Sequence, residues 1–292
     1  MKFVSFRWKE EKRFGLWLKE EEVVVDLFQY YQDREFGLPN LLSLIQSEQG
    51  MNLNELREIA DTYYLPIKEI VFEAPIPRPL KNVFCVGKNY RDHAIEMGSE
   101  KDVPEYPMIF TKAPTAVSSP GQILTFPKKV SEALDYEGEL AIVIGKQGTA
   151  ISREEAMDYV FGYTIVNDIT ARDLQKKHGQ FFLGKSLDGS CPIGPAILHA
   201  SEVTNPHDLT LKTTVNGEVR QNGKTSDLIF DIPELIHVLS KGMTLEPGDI
   251  IATGTPSGVG KGFKPPKFLN DGDIVEVSVE GIGTLKNEIR KR

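Results

Sequence analysis

The sequence predicts a strand-rich α+β protein in two parts, a small α/β module over residues 1–74 and a larger domain over residues 75–292. Short apolar runs rich in Val and Ile recur along the chain and stop at glycine, proline or acidic residues, as buried strands do. Helical spacing is confined to brief stretches. The segment Ala74-Pro75-Ile76-Pro77-Arg78-Pro79 can continue neither a helix nor a central strand, because each proline fixes φ and lacks an N–H, so it reads as an extended connector. A chain of 292 residues is long enough to bury a sizeable core.

In the leading module Val4, Phe6 and Trp8 alternate with polar neighbours, residues 9–13 form a charged break, and Phe14, Leu16 and Leu18 alternate again. This predicts a hairpin. Val23-Val24-Val25 adds a strand, and Leu53, Leu56, Ile59 and Ala60 have helical spacing. In the larger domain residues 82–87 predict a first strand and residues 88–98 a short helix or lid. Ser152 and Glu155 form a capping-box pattern for a helix carrying Ala156, Met157, Tyr159 and Val160 and ended by Gly162. Asn216-Gly217 marks a tight hairpin turn, and residues 233–239 predict a helix stopped near Gly242. Pro247-Gly248 turns into a strand at residues 249–252, and Asp271-Gly272 opens a last alternating strand at residues 274–279.

The chemistry centres on Leu134-Asp135-Tyr136-Glu137-Gly138-Glu139 running into Leu140-Ala141-Ile142-Val143-Ile144-Gly145. Side chains alternate along a strand, so Glu137 and Glu139 point the same way as Ala141 and Val143. Two carboxylates forced together at the edge of an apolar face raise each other's pKa unless a cation holds them, and a hard divalent metal suits oxygen ligands. Asp168 closes the next apolar run and offers a third ligand. Taken alone, a Glu-x-Glu pair also fits a solvated strand end.

Other residues add to this. His93 and Glu96 share a helical face and fit a base with its orienting carboxylate, or a surface pair. Arg172 and Gln175 fall on one side of a turn after Asp168. Lys185 sits in the apolar stretch Phe181-Phe182-Leu183-Gly184; buried, it would need an anion beside it, and its local sequence favours snorkelling to the surface. Residues 253–262 are not a phosphate-binding P-loop, which requires glycine at Thr255 and a hydroxyl residue at Gly262. They leave a tight loop whose N–H groups, Gly254 among them, and Thr255 hydroxyl could hold a carboxylate.

A formal charge of -8, from 42 acidic and 34 basic residues, argues against a nucleic-acid surface. No apolar run approaches the roughly 20 residues of a membrane span, and the opening residues lack a signal-peptide pattern, so the expected location is the cytoplasm. Cys85 and Cys191, far apart and without metal-ligand spacing, are expected to be reduced and buried.

Taken together, Gly87-Lys88-Asn89-Tyr90 with His93 and Glu96, Asp135-Tyr136-Glu137-Gly138-Glu139, residues 167–173, Gly184-Lys185-Ser186 and residues 253–260 resemble the fumarylacetoacetate hydrolase family, in order, from about residue 80 to the end. The resemblance implies a mixed β-roll, usually in homodimers, with Mg²⁺ or Mn²⁺ held by Glu137, Glu139 and Asp168. It implies His93 and Glu96 on a lid as catalytic residues, Lys185 assisting charge or proton transfer, and Arg172, Gln175, Gly254 and Thr255 facing a small 2-oxo acid. The implied activity is carbon–carbon bond cleavage in 2-oxo or β-diketo acids through a cation-stabilised enolate. Either an acylpyruvate- or fumarylpyruvate-type hydrolase or an oxaloacetate decarboxylase fits. An isomerase or hydratase acting on related unsaturated dicarboxylates is the alternative within the family. A non-catalytic, metal-braced scaffold is the alternative outside it, and the intact His93 and Glu96 argue against that. Asn89 stands near where the branch acting on fumarylacetoacetate itself carries a further metal-site acid, which favours the acylpyruvate and oxaloacetate branch.

Overall fold

The computed structural model describes residues 1–18, 22–47, 52–59 and 61–292. Its main sheet runs in the order Tyr64–Pro66, Val23–Asp26, Glu11–Leu18, Lys2–Trp8, Cys191–His199, Val160–Asn167, Gly138–Ile144, Ile250–Ala252, Val83–Gly87 and Met108–Lys112. A second sheet runs Glu218–Lys224, Thr210–Val215, Ile274–Val279, Gly283–Lys291 and Ile123–Phe126. The helices are short, so the architecture is the β-rich mixed one that the sequence predicts.

The strand Gly138–Ile144 shows how the sheets are held. Leu140, Ile142 and Ile144 enter a core shared with Leu211, Val275, Val277 and Leu285 of the second sheet and with Leu235, Ile236 and Leu239 of the helix Ile232–Ser240. Ala141 and Val143 face the other way, into a core with Leu27, Tyr30, Leu41 and Leu44 from the leading residues. Burial on both faces explains why the run is continuously apolar. Glu139 alternates onto the face that the leading residues cover.

Those leading residues are tied to the rest by hydrogen bonding as well as packing. Lys2–Trp8 pairs antiparallel with Cys191–His199, placing Phe3 opposite Ile197, and Phe3 packs on Phe161 with ring centroids 5.2 Å apart. The opening hairpin forms with Lys9 and Glu10 both at positive φ, which a tight hairpin turn demands. A short helix, Leu53–Arg57, starts at Asn52, whose side chain accepts the N–H groups of Asn54 and Glu55. Ala60, assigned to the same helical spacing, lies outside the described residues. Cys85 and Cys191 are buried free thiols.

Two expectations are corrected. Ser152 and Glu155 do form the capping pattern, with Glu155 N–H donating to Ser152 Oγ at 3.3 Å. Only a 3₁₀ turn, Ala156–Tyr159, follows, because Val160 already pairs with Ile144 in the main sheet. Gly162 therefore lies inside a strand rather than ending a helix, and a Cβ there would sit 2.3 Å from Leu198 O. The strand Ile274–Val279 is also not the last. Gly283–Lys291 pairs with it and, in parallel, with Ile123–Phe126.

Candidate active site

Antiparallel pairing sets Gly138 opposite Asn167, so the acids at those strand ends meet. Asp168 N–H donates to Glu137 O at 2.8 Å. Glu137, Glu139 and Asp168 are all buried, and each offers a carboxylate oxygen within 4.8 Å of the others.

Their counter-charges are unequal. Lys112 Nζ donates to Asp168 Oδ1 at 2.6 Å, and Lys185 Nζ bridges Asp168 Oδ2 at 2.6 Å and Glu137 Oε2 at 2.5 Å. Arg172 reaches Glu137 Oε1 through Nη2 at 2.7 Å and Asp135 Oδ2 through Nε at 2.8 Å. Glu139 accepts only the N–H of Gly254, at 2.9 Å, and forms no ion pair among the described residues. Burial would raise the pKa of Glu137, but Lys185, Arg172 and His93 reverse it and hold the group well below the usual carboxylate range. Glu139 goes the other way. Burial, then the charges of Asp168 and Glu137, push it well above its ordinary value.

This donor set fits a divalent cation. Three buried carboxylates converge, and one of them has no positive partner, which is the deficit a hard metal ion with oxygen ligands fills. Four buried acids, counting Asp135, face the three cations Lys112, Arg172 and Lys185, leaving one negative charge.

Lys185 departs from the snorkelling that its local sequence suggests. It is 2 % exposed, because Glu137 and Asp168 supply the anions that make burying an ammonium tolerable. Its pKa is raised: burial lowers it, and the two carboxylates more than compensate.

Across the cavity, the helix Arg91–Glu96 carries His93 and Glu96, with Nδ1 3.3 Å from Oε2. Gly258 N–H donates to both Glu96 oxygens, at 3.0 and 3.1 Å. The loop of residues 253–262 thus binds carboxylates, and they are the protein's own. Gly254 holds Glu139, Gly258 holds Glu96, and the N–H groups of Gly260 and Lys261 hold Asp135 at 2.6 and 3.0 Å. A Cβ at position 262 would lie 2.1 Å from Glu96 Oε1, so a side chain there would displace the Glu96 carboxylate. The Thr255 hydroxyl donates to Gly138 O at 2.8 Å and accepts from Gln221 Nε2 at 2.7 Å. Asn89 is spent on the backbone, donating to Thr253 O and Phe230 O and accepting from Phe230 N–H.

One cavity of about 340 Å³ collects His93, Glu137, Glu139, Arg172, Gln175, Lys185 and Thr255 on its walls. Gln175 Oε1 lies 3.5 Å from Arg172 Nη1. Phe110 and Phe181, edge to face at 5.5 Å, form an apolar side. Of the other residues singled out in the sequence, Asp168, Glu96 and Gly254 stand behind the walls and hold the ones that face inward. Two participants escaped sequence reasoning. Lys112 comes from a strand end 56 residues from its partner Asp168, and nothing local marks it. Asp135 could have been found, since it precedes Glu137 by the two-residue strand period.

A family model described as fumarylacetoacetate (FAA) hydrolase C-terminal matches residues 82–290. The chain belongs to the fumarylacetoacetate hydrolase family. Members of this family are enzymes. Oxaloacetate tautomerase YisK of Bacillus subtilis is 63% identical to this chain over 228 residues, 78% of this chain and 76% of that one. The structure of a fumarylacetoacetate hydrolase from Exiguobacterium antarcticum covers all of both chains with a TM-score of 0.86 at 42% identity. Maleylpyruvate hydrolase from Sphingobium sp. SYK-6, solved in complex with manganese(II) ion and pyruvate, has a TM-score of 0.79 at 29% identity, covering 100% of this chain and 99% of that one. No helix among the described residues is long and apolar enough to cross a membrane.

Proposed function

We propose that this protein interconverts the keto and enol forms of oxaloacetate or a closely related 2-oxo dicarboxylate, with a divalent cation, Mg²⁺ or Mn²⁺, held by Glu137, Glu139 and Asp168. The observation that carries the reading is that one cavity is walled by Glu137 and Glu139 of the buried carboxylate triad and by His93, whose partner Glu96 and the third acid Asp168 stand directly behind the walls. The high identity to an oxaloacetate tautomerase supports the choice of reaction.

When bound, the cation would polarise the keto and carboxylate oxygens of the substrate, acidifying the C3 hydrogens. The remaining work falls to the chain. Glu96, fixed by the Gly258 N–H, holds His93 by Nδ1 and leaves Nε2 to take a proton from C3. The same nitrogen returns that proton to the C2 oxygen, completing the enol with no net gain or loss of atoms. Arg172 and Lys185 keep Glu137 ionised and hold fixed positive charge beside the developing oxyanion. Phe110 and Phe181 exclude water from one side.

Carbon–carbon cleavage is the second reading, because hydrolysis of an acylpyruvate or decarboxylation of oxaloacetate also leaves a 2-oxo acid enolate, that of pyruvate, which the same site would stabilise. The likeness to a maleylpyruvate hydrolase favours keeping it. In acylpyruvate hydrolysis His93 Nε2 would take its proton from a water molecule instead, whereas decarboxylation needs no nucleophile.

The test follows both products at once. Metal-loaded enzyme is added to the enol form of oxaloacetate, and ketonisation is read by ultraviolet absorbance while pyruvate release is read by a coupled assay. Accelerated ketonisation that is lost on chelation, with little pyruvate formed, is the expected outcome. Pyruvate release from oxaloacetate or acetylpyruvate without accelerated ketonisation would replace the tautomerase reading with the cleavage one.

A further inference from the structure

The cavity carries positive charge that the chemistry above does not use. Lys88, Lys176 and Lys261 line it from three separate stretches: the residue after the strand Val83–Gly87, the last turn of the helix Arg172–His178, and the turn Gly260–Gly262. Lys88 meets Asp102 at 3.3 Å. Lys176 and Lys261 make no ion pair among the described residues. The acid that most influences Lys261, Asp135, already receives Arg172 Nε and the N–H groups of Gly260 and Lys261. Partial burial lowers the pKa of Lys261, and the charges of Arg172, Lys176 and Lys88 lower it further, so these cations sense one another. In a chain of net charge -8, like charges gathered at one cavity repel unless an anion joins them.

We infer that Lys176 and Lys261 form a second carboxylate subsite, selecting 2-oxo acids that carry a distal carboxylate over those that end in a methyl group. The inference rests on the 2-oxo dicarboxylate reading given above and adds the residues that recognise the distal carboxylate. Glu137, Glu139, Arg172 and the two lysines line the same cavity, so a short diacid that presents its 2-oxo end to the triad would have its other carboxylate within the cavity that the lysines line. Two ammonium groups on flexible stems suit an anion whose position changes as C3 is rehybridised, where a rigid guanidinium fork would not.

The test uses Lys176→Gln, Lys261→Gln and the double variant in the full-length, Mn²⁺-loaded protein. Lys176 is exposed, and the Asp135 contact of residue 261 is made by its backbone, so the fold has no need of either ammonium. Two ratios are measured for each protein. The first is kcat/KM for oxaloacetate over that for 2-oxobutanoate, followed by deuterium exchange at C3. The second is the calorimetric Kd for 2-oxobutanoate over that for 2-oxoglutarate. In the double variant both ratios should fall roughly ten- to a hundred-fold, with the kinetic loss in KM rather than kcat. Ratios equal to those of the wild type, or a wild type that shows no preference for the diacids, would overturn the subsite. If the wild type exchanges neither substrate, the tautomerase reading falls by itself, and the calorimetric ratio alone decides the subsite.

Discussion

The floor of the cavity is fixed by charge and by strands. Asp168 is gripped through both oxygens by buried lysines, Glu137 by Lys185 and Arg172, and all three triad acids stand on or beside paired strands of the main sheet. The helix Arg91–Glu96 is different. His93 and Glu96 ride on a six-residue helix, and Glu96 is hydrogen-bonded to the opposing loop through a single N–H, that of Gly258. The contrast matches the two tasks. Under the proposed function the strands would carry the ligands of a hard cation, which need fixed geometry, and the short helix would carry the proton-transfer pair.

The largest effect should come from striking the floor from behind. Removing residues 1–74 uncovers the face that carries Ala141 and Val143 and strips Cys191–His199 of its partner Lys2–Trp8, leaving its pairing with Val160–Asn167 in the main sheet. The truncated chain is expected to lose cooperative unfolding and to bind hydrophobic dyes, as seen by calorimetry and fluorescence; a folded, active truncation would mean that the floor is self-sufficient.

On the helix Arg91–Glu96, His93→Ala should lower kcat by about a hundred- to ten-thousand-fold while Mn²⁺ affinity, measured by calorimetry, is retained. A joint loss of both would show that this helix and the floor are not independent. Gly262→Ala is a gentler version, since the added Cβ falls on Glu96 Oε1 and misdirects His93 without removing it. A kcat loss of up to about a hundred-fold is expected, with the unfolding temperature nearly unchanged.

Lys112→Met tests the floor's charge balance with the smallest effect on catalysis. It leaves Asp168 Oδ1 buried without its cation, which should cost about 3 kcal/mol of stability in the metal-free protein. Saturating Mn²⁺ should narrow the gap in unfolding temperature between the variant and the wild type, because the added cation supplies part of the missing charge. A gap that stays constant would place Lys112 outside the electrostatics of the triad.

The same contrast governs what could be read in the sequence. Glu137, Glu139 and Asp168 were legible because the strand period puts two acids on one side and the next strand ends in a third. His93 and Glu96 were legible from helical spacing. The partners were not. Lys112 meets Asp168 only because the sheet order sets Met108–Lys112 three strands from Gly138–Ile144, a fact of topology that no local pattern records. The burial of Lys185 likewise depends on carboxylates 17 and 48 residues away. Where local signals did mislead, the sheet had overruled them. The capped turn after Ser152 could not grow into a helix because Val160 is needed opposite Ile144. The strand Gly283–Lys291 was missed because Leu285, Asn287 and Ile289 alternate too weakly with charged neighbours to stand out.

The central claim is that Glu137, Glu139 and Asp168 together hold one divalent ion. Calorimetric titration of Mn²⁺ into the wild type and into Glu137→Gln, Glu139→Gln and Asp168→Asn addresses it most directly. The account predicts a single tight site in the wild type that is lost or greatly weakened in each variant, with the folded state preserved by circular dichroism. Equal Mn²⁺ affinity in the wild type and in all three variants would contradict it.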